Sequence, residues 1–512
     1  MNCWRRLIPL LAFAASLWAQ NAPLADAVEK RDQAAIEALL KQHADVNARQ
    51  PDGATALQWA VHWDDAGTVA RLVRAGANVN AANDLGVTPL ALACENRNAE
   101  IAGLLLKAGA NPNAATSSGE TVLMTAARSG NVDVVNALVA KQAHVNAKEP
   151  VRDQTALMWA VSEQHPDVVQ ALIEAGADVR ARSRVRHRTV STGTRYGDQK
   201  LVSGIIETDL GGFTPLLFAA RVGDIESAKR LLAAGADVND VAPNGASVLV
   251  VAAHSGHGGL GSVLLEHGAD PNASGAGYTA LHAAVLRGDL ALTKALLGRG
   301  AKVDALLTKG TPSRYYSKDY AFRDGFIGAT PLWLAARFGE SEIMRVLAGA
   351  GANPRFVLPD RPGHREVPFG EVASVYGSSI VVAALVVARG VGAFRAGDRR
   401  ERYEGPGDVA AKGEGEDERT ALATAKTALD LGADVNAADV DGNTPLHVAS
   451  ALGLSTVIPL LVEKGARLDV KNKAGQTPLA LVQGSSQRGF YGLSAEQRQT
   501  MAALLRKLGA TE

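Results

Sequence analysis

Histidines are the residues best suited to chemistry in this 512-residue chain, and they come nearest to a ligand set in His254-Ser255-Gly256-His257 with His267. A tetrahedral zinc site needs ligands spaced so that one loop or helix face presents them together, and this spacing fits no such pattern. The other histidines are scattered and no His-Glu-x-x-His occurs. Nucleophilic and phosphate chemistry lack their frames too, since the chain has no Gly-x-Ser-x-Gly elbow and no Gly-Lys-Thr phosphate loop. Gly256-His257-Gly258-Gly259 reads as a helix end whose glycines serve the backbone. Two cysteines cannot build a disulfide framework, and Cys94, inside the apolar run Leu90–Cys94, reads as a small core residue rather than a nucleophile. The reading is therefore of a non-enzyme with no metal and no cofactor.

Composition narrows the class. Lys+Arg and Asp+Glu both number 53, hydrophobic residues make up 47% and charged residues 21%. Those values belong to a folded protein, and a net charge of zero argues against a general nucleic-acid binder. Residues 1–20 place Arg5-Arg6 before the apolar run LIPLLAFAASLW and end in Ala19-Gln20. This pattern matches a secretory signal peptide, 1–19, and the rival reading is an uncleaved anchor. Twelve helical residues reach only about 18 Å, short of a ~30 Å hydrocarbon core. The chain is accordingly expected to be exported, to a periplasm or beyond the cell, with no membrane span left after cleavage.

The elements that would position any site are set by a period. Thr55-Ala56-Leu57, Thr88-Pro89-Leu90 and Thr121-Val122-Leu123 start 33 residues apart, as does Ala22-Pro23-Leu24 before them. Thr155, Thr214, Ser247, Thr279, Thr330, Thr444 and Thr477 open the same tripeptide, and a degenerate copy near Ser378-Ser379-Ile380 makes twelve units. Thr is a helix N-cap and Pro suits the first helical position. The Ala pairs that follow, such as Ala219-Ala220 and Ala283-Ala284, let helices approach closely. Glycines such as Gly130 and Gly223 then end a short first helix in the left-handed conformation. A second helix follows, and a landmark such as Gly76-Ala77-Asn78-Val79-Asn80 turns the chain into an extended finger. Trp59, Trp159 and Trp333 stand at near-equivalent places, so they are expected to pack between units.

These residues resemble the ankyrin repeat, a β-turn and two antiparallel helices with a Thr-Pro-Leu-His-x-Ala signature, most closely in Thr444-Pro445-Leu446-His447-Val448-Ala449. The resemblance covers roughly residues 22–510 and implies an all-α repeat solenoid of about twelve helix-turn-helix units with β-turn fingers, extending to about 100 Å. The array is expected over 22–354, with a degenerate repeat over 355–443 and further repeats and a polar cap over 444–512. Departures stand at His43 and Gln142, in place of the landmark Gly, and at Asp64, Arg97 and Gln164, in place of the first-helix Gly.

Insertions break the period at 181–212, 304–328 and 355–377, and a charged loop follows at 391–418. The first carries seven Lys+Arg against three Asp+Glu between Arg180 and Gly212, including Arg184, Arg186 and Arg188. The second carries Arg314, Tyr315, Tyr316 and Tyr320. All three enter at fingers, and Tyr and Arg are enriched in interface hot spots. Unselected surface loops are the plain alternative. The resemblance further implies that the last exposed turn of each first helix faces a partner. Those places hold His62-Trp63, Arg128, Ser162-Glu163, Arg221, His254, Arg287 and Arg337-Phe338.

The reading that follows is a scaffold binding a protein partner through its concave face and fingers, the partner surface being acidic with apolar anchors. The alternatives are an enzyme or ligand-binding accessory with a site in 304–328 and 355–418, and a carbohydrate- or envelope-binding module using the Tyr-rich finger.

Overall fold

The computed structural model describes residues 22–191, 205–311, 322, 324–360, 377–386, 416–484 and 493–511. Their helices fall into twelve pairs in chain order, from Pro23–Glu29 with Gln33–Lys41 to Pro478–Gln483 with Ala495–Lys507. The landmark Thr caps the first helix of its pair. Thr88 Oγ1 accepts the Ala91 N–H at 3.2 Å and Thr330 Oγ1 that of Trp333 at 3.3 Å. In two units the signature His closes the cap reciprocally: His282 Nδ1 accepts the Thr279 N–H, and His447 Nδ1 that of Thr444, both at 3.2 Å. Second helices carry their own caps, with Asp32, Asp65, Asn98, Asn131, Asp224 and Asp289 accepting from N–H groups of the first turn.

The described residues form two bodies. The first comprises those up to Val185 together with Gly211–Asp237; the second comprises Arg186–Leu210 and those from Val238 onward. Within each body every first helix packs on the next first helix, and most second helices do likewise. The Ala pairs sit at these contacts, and Ala219, Ala220, Ala283, Ala284, Ala335 and Ala336 are all fully buried. Trp333 is completely buried and donates to the Ser378 carbonyl at 3.1 Å, joining the ninth pair to the degenerate tenth. That tenth pair is a first helix at Ile380–Leu385, buried throughout, and a second at Glu416–Asp430.

The departures from the repeat pattern do not change its backbone. His43, Asp64, Arg97, Gln142 and Gln164 all take positive φ, between 54° and 64°, where their neighbours use Gly. The left-handed turn is imposed by the stack, and a side chain there costs roughly 1–2 kcal/mol.

A second regularity lies in the landmark's last residue, whose amide, where that residue is Asn, stitches its unit to the next. Asn80 Nδ2 donates to the Gly109 carbonyl at 3.1 Å while its Oδ1 accepts the Asn111 N–H at 2.7 Å. Asn47, Asn113 and Asn146 do the same in the first body, and Asn272 and Asn436 in the second. The result is a side-chain ladder that links the first five units of the first body, with separate rungs in the second.

The insertion at 181–212 contains the sheet of the described residues, a two-stranded hairpin of β1, Val185–Ser191, and β2, Ile205–Gly211. The second insertion sends Leu307, Phe322 and Phe326 into the core. Phe322 is 1% exposed, and it exchanges hydrogen bonds with Thr311 (2.7 and 2.9 Å).

Candidate recognition surface

In the first body, the ends of the first helices carry the exposed residues that the repeat pattern puts in register. Trp63 closes Ala56–His62 and is 39% exposed. Arg128 and Arg221 stand in the last turns of Val122–Ser129 and Pro215–Val222, and both are exposed. Around Trp63 the surface is aromatic and of mixed charge. Trp59 stacks on it at 6.4 Å between centroids, His62 meets it edge-on at 4.7 Å, and the Arg31 guanidinium lies 5.6 Å from its ring. Beneath them Trp59 Nε1 donates to Gln50 Oε1 at 2.6 Å, and Gln50 Nε2 donates to Asp26 and Glu29, each at 2.8 Å. Arg128 lies over Trp159 at 5.6 Å and pairs with Glu120 at 3.2 Å. Pro150 stands where a Gln would match Gln50, so Trp159 Nε1 has no hydrogen-bond partner among the described residues.

Glu120 answers Arg128 locally, and aromatic area stands beside both Trp63 and Arg128. Arg31, Gln50, Asp26 and Glu29 were invisible to the sequence reading because each becomes part of the patch only when neighbouring units stack. The equivalence of Trp59 and Trp159 was the available signal.

In the second body the same register leads inward. Arg287 is half-buried and donates to the His254 carbonyl at 2.7 Å. Arg337 is only 2% exposed and sits 5.9 Å from the Phe326 ring, while Phe338 is half-buried edge-on to the same ring at 6.0 Å. The insertion folds Phe326 over the ends of both side chains, and that burial takes Arg337 off the exposed surface on which the sequence placed it. Phe322 likewise packs on Tyr278, His254 and His282 at 4.9, 6.3 and 6.4 Å. Arg314, Tyr315, Tyr316 and Tyr320 lie outside the described residues, as do residues 1–19 and most of 355–418.

Arg184, Arg186 and Arg188 are exposed. Arg184 forms a fork with Asp153, with N–O distances of 3.0 and 2.8 Å, and its N–H reaches the Arg152 carbonyl. His187 pairs with Asp209 across the hairpin.

Among the described residues no group of three or more His, Cys, Asp and Glu is placed to hold a metal ion. His254 is engaged with Tyr278 and Phe322, whereas His267 Nδ1 lies 2.8 Å from the Val263 carbonyl at the end of a second helix. Burial raises the Cys94 thiol to about 12, which keeps it protonated and unreactive. His282 is fully buried, and burial lowers it to about 4; Nδ1 is already an acceptor, so a second ring proton would meet a donor.

Capped helix pairs in fixed register, inner helix on inner helix, define a helical-repeat solenoid. Comparison with known families agrees. The model for ankyrin repeats in three copies matches residues 24–116, 111–183 and 216–306, and the single ankyrin-repeat model matches 327–357 and 441–473. The chain belongs to the ankyrin-repeat family. It is similar to the human Ankyrin repeat and SOCS box protein 16, 30% identical over 234 residues, or 45% of this chain and 46% of that one. It is also similar to Protein fem-1 homolog A of Danio rerio, 39% identical over 84 residues, or 16% and 14% of the two chains. Serine/threonine-protein kinase 12 of Arabidopsis thaliana is 44% identical over 55 residues, or 11% and 12%. The chain spans less than half the length of each of these relatives. Ankyrin-repeat proteins generally mediate protein–protein interaction.

Proposed function

We propose that this chain is a non-enzymatic recognition scaffold that binds a protein partner through the ends of its first helices and its fingers. One observation carries the reading: alternate repeats of the first body bring Trp63, Arg128 and Arg221 to the ends of their first helices, exposed, with Trp59 beside Trp63 and Trp159 beside Arg128. Large rigid aromatics and Arg are the residues from which interface hot spots are built. In the second body Arg287 and Phe338 are proposed contacts in their own right, as are Arg184, Arg186 and Arg188 on the first insertion and Arg314, Tyr315, Tyr316 and Tyr320 in the second.

Export to a periplasm or the cell exterior is part of the proposal and rests on the basic-then-apolar pattern of residues 1–20. No helix among the described residues is long and apolar enough to cross a membrane. The domain layout proposed from the period, 22–354, 355–443 and 444–512, serves this scaffold.

Affinity purification with the chain as bait supplies the partner, and paired variants test the surface. Trp63→Ala with Arg128→Gln and Arg221→Glu is expected to weaken capture at least tenfold, while helical circular dichroism shows that the chain is still folded. Arg74→Glu with Lys107→Glu, on second helices, is expected to leave capture intact. Equal capture by both sets would remove the helix-end row from the interface. Fractionation of cells expressing the chain with and without residues 1–19 tests export, and an identical distribution of the two would end that part of the proposal.

A further inference from the structure

The hairpin of the first insertion has a basic strand, an acidic strand and only two members. Its register follows from the His187–Asp209 pair, which places those two side chains on one face. Side chains alternate along a strand, so Arg186 and Arg188 share the opposite face, about 6.6 Å apart along β1. Both are exposed. β1 carries Arg186, His187 and Arg188 with no carboxylate, whereas the carboxylates, Glu207 and Asp209, stand on β2. The sheet holds two strands, so β1 keeps one edge that no strand among the described residues pairs with.

An open edge is a template for another extended chain, and proteins commonly guard such edges with charge. Charge of one sign is selective rather than merely protective. Two arginines on one face of β1 repel a second β1, because like charges on neighbouring strands are destabilising, and attract a strand with carboxylates at every second residue. Backbone hydrogen bonds would supply affinity and the alternating side chains specificity, as in other strand-addition interfaces. Arg suits this role because its planar fork matches a carboxylate in two-point contact.

We infer that the outer edge of β1 takes up an extended acidic segment of a partner protein as a third strand, its alternate carboxylates lying beside Arg186 and Arg188. The inference rests on the reading of the chain as a protein-recognition scaffold and names the chemistry of one of its contacts.

The test uses the full chain and a labelled peptide of alternating Glu and Val, seven residues long to match β1, read by fluorescence anisotropy. Binding is expected, and it is expected to weaken at least tenfold for a peptide of the same composition with its Glu residues clustered. The same loss is expected for a peptide N-methylated at every residue, which cannot donate to a strand edge. Arg186→Ala with Arg188→Ala should weaken the alternating peptide roughly 2- to 30-fold, the range for two cross-strand charge pairs. Arg186→Lys with Arg188→Lys should restore most of that binding, and helical circular dichroism confirms that each variant is folded. Equal binding of the alternating, clustered and N-methylated peptides would overturn the inference, as would an undiminished affinity in the Ala variant. Equal competition by a single-stranded oligonucleotide would also overturn it, in favour of a site for any polyanion. So would concentration-dependent self-association abolished by the Ala variant, because the occupant would then be a second copy. A chain lacking residues 186–210 that still captures its partner, while the intact chain ignores the peptide, would sink this inference and leave the recognition surface of the first helices standing.

Discussion

Removing the side chain of Asn80 tests whether the amide ladder couples neighbouring repeats. Asn80 makes two inter-unit hydrogen bonds, donating to the Gly109 carbonyl at 3.1 Å and accepting from the Asn111 N–H at 2.7 Å. A net hydrogen bond contributes about 0.5–1.5 kcal/mol, so two give about 1–3 kcal/mol. Asn80 is exposed, so water can replace part of each bond. The cost expected for Asn80→Ala is therefore about 1–2 kcal/mol. Urea unfolding measures that loss, and amide hydrogen exchange locates it, because the Asn111 N–H loses its acceptor and should exchange faster. Asn80→Asp separates the two bonds. A carboxylate still accepts from Asn111 but cannot donate to Gly109, so stability should fall while Asn111 keeps its protection. If Asn80→Ala changes stability by less than about 0.5 kcal/mol, the scale of an ordinary surface substitution, and Asn111 exchange is unchanged, the ladder does not couple the units.

Further expectations concern the backbone and the buried histidine. Gln142 is an exposed residue held at φ 64°, so Gln142→Gly should stabilise the chain by about 0.5–1 kcal/mol, read as a raised melting temperature; Gln142→Ala should not. His282 is lowered by burial from its ordinary 6.5 to about 4 in the folded chain, so the unfolded chain binds the proton more tightly. Its contribution to stability is then fully present above pH 6.5 and is lost as pH falls from there towards 4, on the order of 3 kcal/mol in all. His282→Gln should flatten that segment of a stability–pH curve, and an unchanged slope would contradict the assignment.

The repeat register was legible from the sequence because its signals are local. A capping Thr, a proline at the first helical position and a left-handed glycine each act within a few residues, and in the degenerate unit Ser379 stands in the place of the capping Thr. The features that stayed hidden depend on stacking. Asn47, Asn80, Asn113 and Asn146 recur at a spacing of 33, yet they read as turn residues because their partners lie about 30 residues away on the next unit. Arg337 read as exposed because the helix pattern puts it in the last turn, whereas Phe326 covers it from the insertion before its own helix. The hairpin was hidden in what read as a loop. Arg182, Arg184, Arg186 and Arg188 stand at every second position, a strand period that their charge obscured.

Hydrogen exchange on a chain carrying Leu281→Asp tests most directly whether the repeats hold one another up. Leu281 is completely buried in the first helix of its unit, between first helices at Val248–Ser255 and Pro331–Phe338. An unpaired carboxylate there costs several kcal/mol, ~3–5 by comparison with other buried unpaired charges. Stacking expects protection to be lost in Ala280–Arg287 and in both neighbouring helices, and to recover with distance towards Pro478–Gln483. Native protection throughout Ala280–Arg287, or loss confined to that helix with both neighbours untouched, would contradict it.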